Sequence, residues 1–286
     1  MTDYAFPMGG LPGQNQSPEG KAIFTTAYAV IPADTMRDIV TSFLPGWVHT
    51  RAWVLARPLS GFAETFAQLA VELAPGGGSN DPEPDKGAEG VLFMAFGEAR
   101  LTLGRDSYEL KAGSYVYLPP AAVWTIFNTS EEPCGFHWVR KKYKEVKGIM
   151  VPEAVVTHET DVDIALMPGT EKWGTQRFVD PLDLGHDMHV NIVTFQPGGR
   201  IPFAETHVME HGLYVLEGTA EYLLNDTWVS VGPGDFMWLR AFCPQACYAG
   251  GPGPFRYLLY KDVNRHMSLR PGALSQPRKQ RLKAAE

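Results

Sequence analysis

AFGEARLTLGRDSYELKAGSYVYL (Ala95–Leu118) and LEGTAEYLLNDTWVSVGPGDFMWL (Leu216–Leu239) decide the reading of this chain. Gly97 falls opposite Gly218 and Gly113 opposite Gly234, both pairs 121 residues apart with no gap between them. Each stretch holds runs of four to eight residues rich in Val, Leu, Tyr, Phe and Trp, broken by Gly, Pro or Asn-Asp. That is the pattern of short strands joined by turns. A constant offset across strand-rich segments marks the duplication of one small β domain.

Outward from this pair the same texture continues. RAWVLARPL (51–59), FAETFAQLAVELAP (62–75), WTIF and CGFHWVRKKY belong to the first copy, and VNIVTFQPGG (190–199) and PFRYLLYKDV (254–263) to the second. FAETFAQLAVEL has the composition of a short helix, but its place before the loop GGGSNDPEPDKGAEG favours a strand. Gly and Pro make up 52 of 286 residues, and turn residues spread through an aromatic-rich chain fit a β-sandwich or barrel. AIFTTAYAVI (22–31) reads as a strand within a Gly/Pro/Ser-rich opening. Residues 141–190 bridge the two copies, and 264–286 resemble a solvated tail.

Composition narrows the class of function. Formal charge is −7 and 44% of residues are apolar, which fits a core-forming chain and argues against a nucleic-acid binder. Three cysteines (Cys134, Cys243, Cys247) are too few for a disulfide scaffold and fit a reducing compartment. No signal peptide is visible and no stretch reaches 18 continuous apolar residues. The expectation is a cytoplasmic protein that neither enters a membrane nor binds nucleic acid.

The chemistry gathers in GGRIPFAETHVMEHGLYVLEG (198–218). Glu205, His207 and His211 share parity, so on extended chain their side chains point to one face. Two imidazoles and a carboxylate directed into one barrel suit a divalent first-row metal. Subtracting 121 from these positions gives Pro84, Lys86 and Gly90, none of which serves as such a donor, so the first barrel is expected to be metal-free. His186 and His189 stand three apart, a spacing that does not share a strand face, and are expected in surface or structural roles. Cys243 and Cys247 are expected as small packing groups, with Cys247 on the pocket side.

The segment is similar to the cupin signature G(X)5HXH(X)3-4E(X)6G with its ligand types interchanged: Gly199, Glu205, His207, His211 and Gly218 occupy its positions. The second cupin motif normally ends in His; here Gly234-Asp235 leads to Gln245 in CPQAC. This interchanged set resembles the (S)-ureidoglycine aminohydrolase family, over about residues 20–267, including YAVIPADTMRDIVTSFLPGW and RYLLYKDVNRH. The resemblance implies an all-β bicupin of two tandem double-stranded β-helix (jelly-roll) barrels. Its expected divisions are an extension (1–45), a metal-free barrel (46–145), a linker with a metal-bearing barrel (146–267) and a tail (268–286). It implies one Mn2+ per chain held by Glu205, His207, His211 and Gln245. Trp124 stands at the Gln245 position of the first copy.

The resemblance further implies hydrolysis of (S)-ureidoglycine to (S)-ureidoglycolate and ammonia in allantoin breakdown. Tyr257 and Lys261 match the family's substrate-holding positions, and Glu205 and Gln245 would also face substrate. Parity in RYLLYK puts Tyr257 and Lys261 on one face, and Tyr222 is a further candidate for lining the pocket. Glu205 and Lys261 are the expected proton handlers. Exposed sheet edges and bicupin habit point to a homo-oligomer. An Fe(II) dioxygenase, which also uses two histidines and a carboxylate, and a ligand-binding bicupin with a vestigial site are the alternative readings.

Overall fold

The structure is a computed structural model, described here for residues 3–7, 22–35, 39–40 and 44–263. The tail read from 264 onward lies outside the described residues. Among those described there is no α-helix, only a 3-10 turn at Glu159–Asp161, and no helix is long and apolar enough to cross a membrane. FAQLAVEL is strand, within the long element Phe66–Ser79.

The duplication governs the architecture. Strands begin at Gln245, Phe236 and Phe255 in the second copy and at Trp124, Ser114 and Cys134 in the first. Pairing repeats as well: His211 lies opposite Leu239 and Lys261, as Gly90 lies opposite Leu118 and Arg140. The four repeat-marking glycines all have left-handed φ, +69° and +76° at Gly97 and Gly218 and +87° and +89° at Gly113 and Gly234. A Cβ at Gly97 would stand 2.6 Å from the Cβ of Cys134, and one at Gly218 would stand 2.0 Å from the Pro254 carbonyl oxygen. Only glycine fits both the dihedral and the close approach.

In the C-terminal barrel a large sheet runs in the order Tyr28–Ile31, Phe236–Leu239, His211–Glu217, Phe255–Asp262, Met188–Phe195, Trp173–Arg177. It faces a four-stranded sheet of Arg200–Glu205, Gln245–Tyr248, Ala220–Leu224 and Thr227–Val231. The N-terminal barrel has the same plan, but the unbroken strand Phe66–Ser79 bends through Gly76–Gly78 and joins its two sheets into one. Strand Tyr28–Ile31 comes from the expected N-terminal extension and flanks Phe236–Leu239; Val155–His158 flanks Ser114–Leu118 in the other barrel.

Alternation sorts the core into three clusters. Leu92, Met94, Leu101 and Phe136 fill the first barrel; Leu213, Val215, Tyr222 and Tyr257 line the second. The intervening residues Val91, Phe93, Tyr115, Tyr214, Trp238 and Tyr260 pack the barrels against each other. Strand residues of opposite parity thus serve a barrel interior and the inter-barrel seam, which makes the strands nearly continuous in hydrophobicity.

Candidate functional site

The second barrel's interior is ordered in layers by strand register. At the mouth, His189 lies opposite Lys261 and Lys261 opposite His211; one step deeper come Asn191, Leu259 and Leu213; below them Val193, Tyr257 and Val215. The smaller sheet brings Glu205 opposite Gln245 and Gln245 opposite Leu224, so the two sheets present their polar groups to each other across the mouth. Extended backbone carries Arg200–Glu205 up to the rim, a turn follows, and His211 opens the next strand. The turn is tied down where Phe242 N–H donates to the His207 carbonyl at 2.6 Å.

Four of the expected residues meet here. Glu205 Oε1 lies 3.2 Å from His207 Nε2, and the His207 and His211 rings are 5.1 Å apart. The Gln245 amide lies beside His211, and its Oε1 accepts a 3.1 Å hydrogen bond from the Tyr222 hydroxyl. Gln245 and His211 are buried while Glu205 and His207 are partly open to solvent. Tyr257 packs against Tyr222 with ring centroids 6.2 Å apart. Burial first, then the charges of His207 and Lys261, bring the His211 pKa down to about 3. Its imidazole is therefore neutral at pH 7, with a lone pair available on one ring nitrogen. Burial, and secondarily the charge of Arg177, lowers the Lys261 pKa.

The donor chemistry fits a divalent cation: two imidazoles, a carboxylate and an amide carbonyl from four positions on rigid strands or the turn between them. Among the described residues no three His, Cys, Asp or Glu side chains converge into a compact cage. Glu205 and His207 engage each other, and the fourth donor is an amide.

The first barrel has no counterpart. Trp124, at the Gln245 position, meets Trp138 edge-on at 6.0 Å, and a Cβ on Gly90, at the His211 position, would press to 3.3 Å from the Trp138 indole nitrogen. Arg140, at the Lys261 position, sits over the Trp138 ring at 4.7 Å and pairs with Glu83.

Of the surface and structural roles expected for the outlying histidines, burial leaves the structural one. His186 and His189 are both buried rather than at the surface. His189 lies on the interior face of Met188–Phe195, in the row of Lys261 and His211. Asn191 shares that face and was not singled out from sequence. All eight residues of this strand are buried, so no alternation of polarity marks the face that looks inward. Cys243 and Cys247 are free, buried and packed with Tyr222 and Tyr257.

Comparison with known proteins follows the duplication. The cupin domain family matches twice, at residues 69–140 and 191–260, and defines a two-cupin protein. The chain is 30% identical over 236 residues to the (S)-ureidoglycine aminohydrolase of Escherichia coli strain K12, spanning 82% of this chain and 89% of that protein. It is 32% identical to a probable (S)-ureidoglycine aminohydrolase of Oryza sativa subsp. japonica, over 86% of this chain and 76% of that one. The solved structure of a putative glyoxylate-induced protein from Pseudomonas aeruginosa shares 60% identity and a TM-score of 0.86, over 94% of this chain and 99% of that chain. The chain belongs to the (S)-ureidoglycine aminohydrolase family.

Proposed function

We propose that this chain hydrolyses (S)-ureidoglycine to (S)-ureidoglycolate and ammonia in allantoin breakdown, with one Mn2+ held by Glu205, His207, His211 and Gln245. The observation that carries this reading is the meeting of two imidazoles, a carboxylate and an amide at the mouth of one barrel, beside Lys261 and above Tyr257. The reaction breaks the C–N bond to the amine and forms a C–O bond to water, with no change of oxidation state. A bound divalent cation would supply positive charge and orientation for a chelating substrate.

The protein's own groups account for substrate binding and proton movement. The departing amine needs a proton and the entering water must lose one. Lys261 Nζ, whose lowered pKa makes it the readier donor, delivers the proton to the amine, and a Glu205 carboxylate oxygen takes one from water. The Tyr257 hydroxyl, with its pKa raised by burial, stays protonated and orients substrate. Tyr222 holds Gln245 in place from behind. Three buried free thiols support a reducing compartment such as the cytoplasm, and the reading takes the enzyme as a homo-oligomer.

The test is ammonia release from enzymatically generated ureidoglycine before and after chelation, then with Mn2+ added back. Release that is lost with chelator and restored by Mn2+ is the expected result. Oxygen uptake without ammonia would overturn the reading.

A further inference from the structure

The interior face of the C-terminal barrel carries polar side chains that the four donors leave unused. Arg177 ends the strand Trp173–Arg177 and lies opposite Asn191, which lies opposite Leu259; Lys261 is two residues further along that strand. Trp173, Val193, Phe195 and Tyr257 pack with the barrel interior, so parity directs Arg177, Asn191 and Lys261 to the same side. Among the described residues, the side chains of Arg177 and Lys261 make no ion pair or hydrogen bond, yet the charge of Arg177 reaches Lys261. Arg177, exposed at the rim, and Lys261 are two cations on one face, and an anion bound between them would relieve their repulsion. The second observation is independent: Asn191, 2% exposed, has a buried Oδ1 with no hydrogen-bond partner among the described residues. It lies in the layer between Lys261 at the mouth and Tyr257 below, within the depth of the proposed pocket. A buried carbonyl oxygen without a protein donor is open to an N–H group of a bound ligand.

We propose that Arg177 clamps the substrate's carboxylate at the rim beside Lys261, which leaves Lys261 to serve the amine, while Asn191 Oδ1 accepts one of the substrate's N–H groups. The assignment deepens the ureidoglycine reading and rests on it for the identity of the ligand. A guanidinium suits this task because it offers two parallel donors to a carboxylate, and a ureido or amine nitrogen supplies the donor that Asn191 lacks.

The experiment compares wild type with Arg177→Gln, Arg177→Lys and Asn191→Leu. Steady-state ammonia release from ureidoglycine is combined with calorimetric titration of ureidoglycolate into the chelator-treated protein. Arg177→Gln is expected to raise KM about tenfold with kcat little changed and to weaken ureidoglycolate binding by a similar factor, with Arg177→Lys recovering part of both. Asn191→Leu is expected to raise KM while leaving the Tm unchanged or higher, because it removes an unsatisfied polar group from the interior. A purely structural Asn191 would instead lower Tm and leave KM alone, which overturns its assignment. Wild-type KM and ureidoglycolate affinity in Arg177→Gln would overturn the clamp. Should wild type release no ammonia, the ureidoglycine reading fails by itself. The titration then still decides the clamp, supported by Arg177-dependent binding and overturned by binding that ignores Arg177 or by none.

Discussion

Tyr222 gives the site its most local constraint. Its hydroxyl is the 3.1 Å donor to Gln245 Oε1, and both residues are buried. An amide is a weak donor to a cation, so its aim matters more than that of a carboxylate. Tyr222→Phe removes only that O–H from a site already surrounded by Tyr257 and Cys247. The expected outcome is a loss of about tenfold in Mn2+ affinity, the usual scale for a partner that orients a ligand, at a stability cost of about 1 kcal/mol. Metal titration and urea unfolding measure the two effects separately. Unchanged Mn2+ affinity would show that Gln245 is oriented by something else.

Among elements, the strand His211–Glu217 depends on the other barrel. Glu210, just before it, accepts hydrogen bonds from the backbone N–H groups of Glu64 (2.7 Å) and Thr65 (2.8 Å), from the Thr65 hydroxyl and from Trp238 Nε1 (2.6 Å). Phe66 lies so close to Gly212 that a Cβ there would be 2.4 Å from its ring, and it stacks on Tyr260 at 3.9 Å. The N-terminal barrel, which carries Gly90 and Trp124 at the positions of His211 and Gln245, thus buttresses the strand that starts with His211. Glu210→Ala would strand several buried donors and is expected to cost about 3 kcal/mol or more, read as a fall in the urea midpoint at constant slope. Little of this was legible in the sequence. The close spacing of Glu205, His207 and His211 pointed to the donors, and the constant offset exposed the duplication. Shared parity on one extended strand does not bring them together, since Glu205 ends one strand, His207 lies in the turn and His211 opens a strand of the other sheet. Gln245 needed the family resemblance, since one amide on a short strand carries no pattern. The inward face of Met188–Phe195 stayed hidden because that strand is buried on both sides, and the pairing of Tyr28–Ile31 with Phe236–Leu239 joins segments about 200 residues apart that no local periodicity connects.

At the scale of the whole molecule, the proposed site gives the two copies different roles, binding in one and support in the other. One mouth gathers donors; in the other, Trp124 and Trp138 occupy the corresponding space and Arg140 pairs with Glu83 above them. The barrels also share one continuous seam of buried aromatics, including Phe93, Tyr115, Tyr214, Trp238 and Tyr260. A ligand that binds only the native state stabilises everything that unfolds with its site, by about 2.7 kcal/mol at a free concentration 100 times Kd. Because the seam joins the two cores, Mn2+ bound in one barrel is expected to raise the temperature of a single unfolding transition rather than split it. Elemental analysis of the loaded protein is expected to return one metal per chain, and His211→Ala to abolish both the metal and the thermal shift. Lys86→Ala, at the corresponding rim of the first barrel, is expected to change neither. Two metals per chain would place a second site where the indoles now stand. A metal-dependent shift confined to one of two transitions would show that the seam does not couple the barrels.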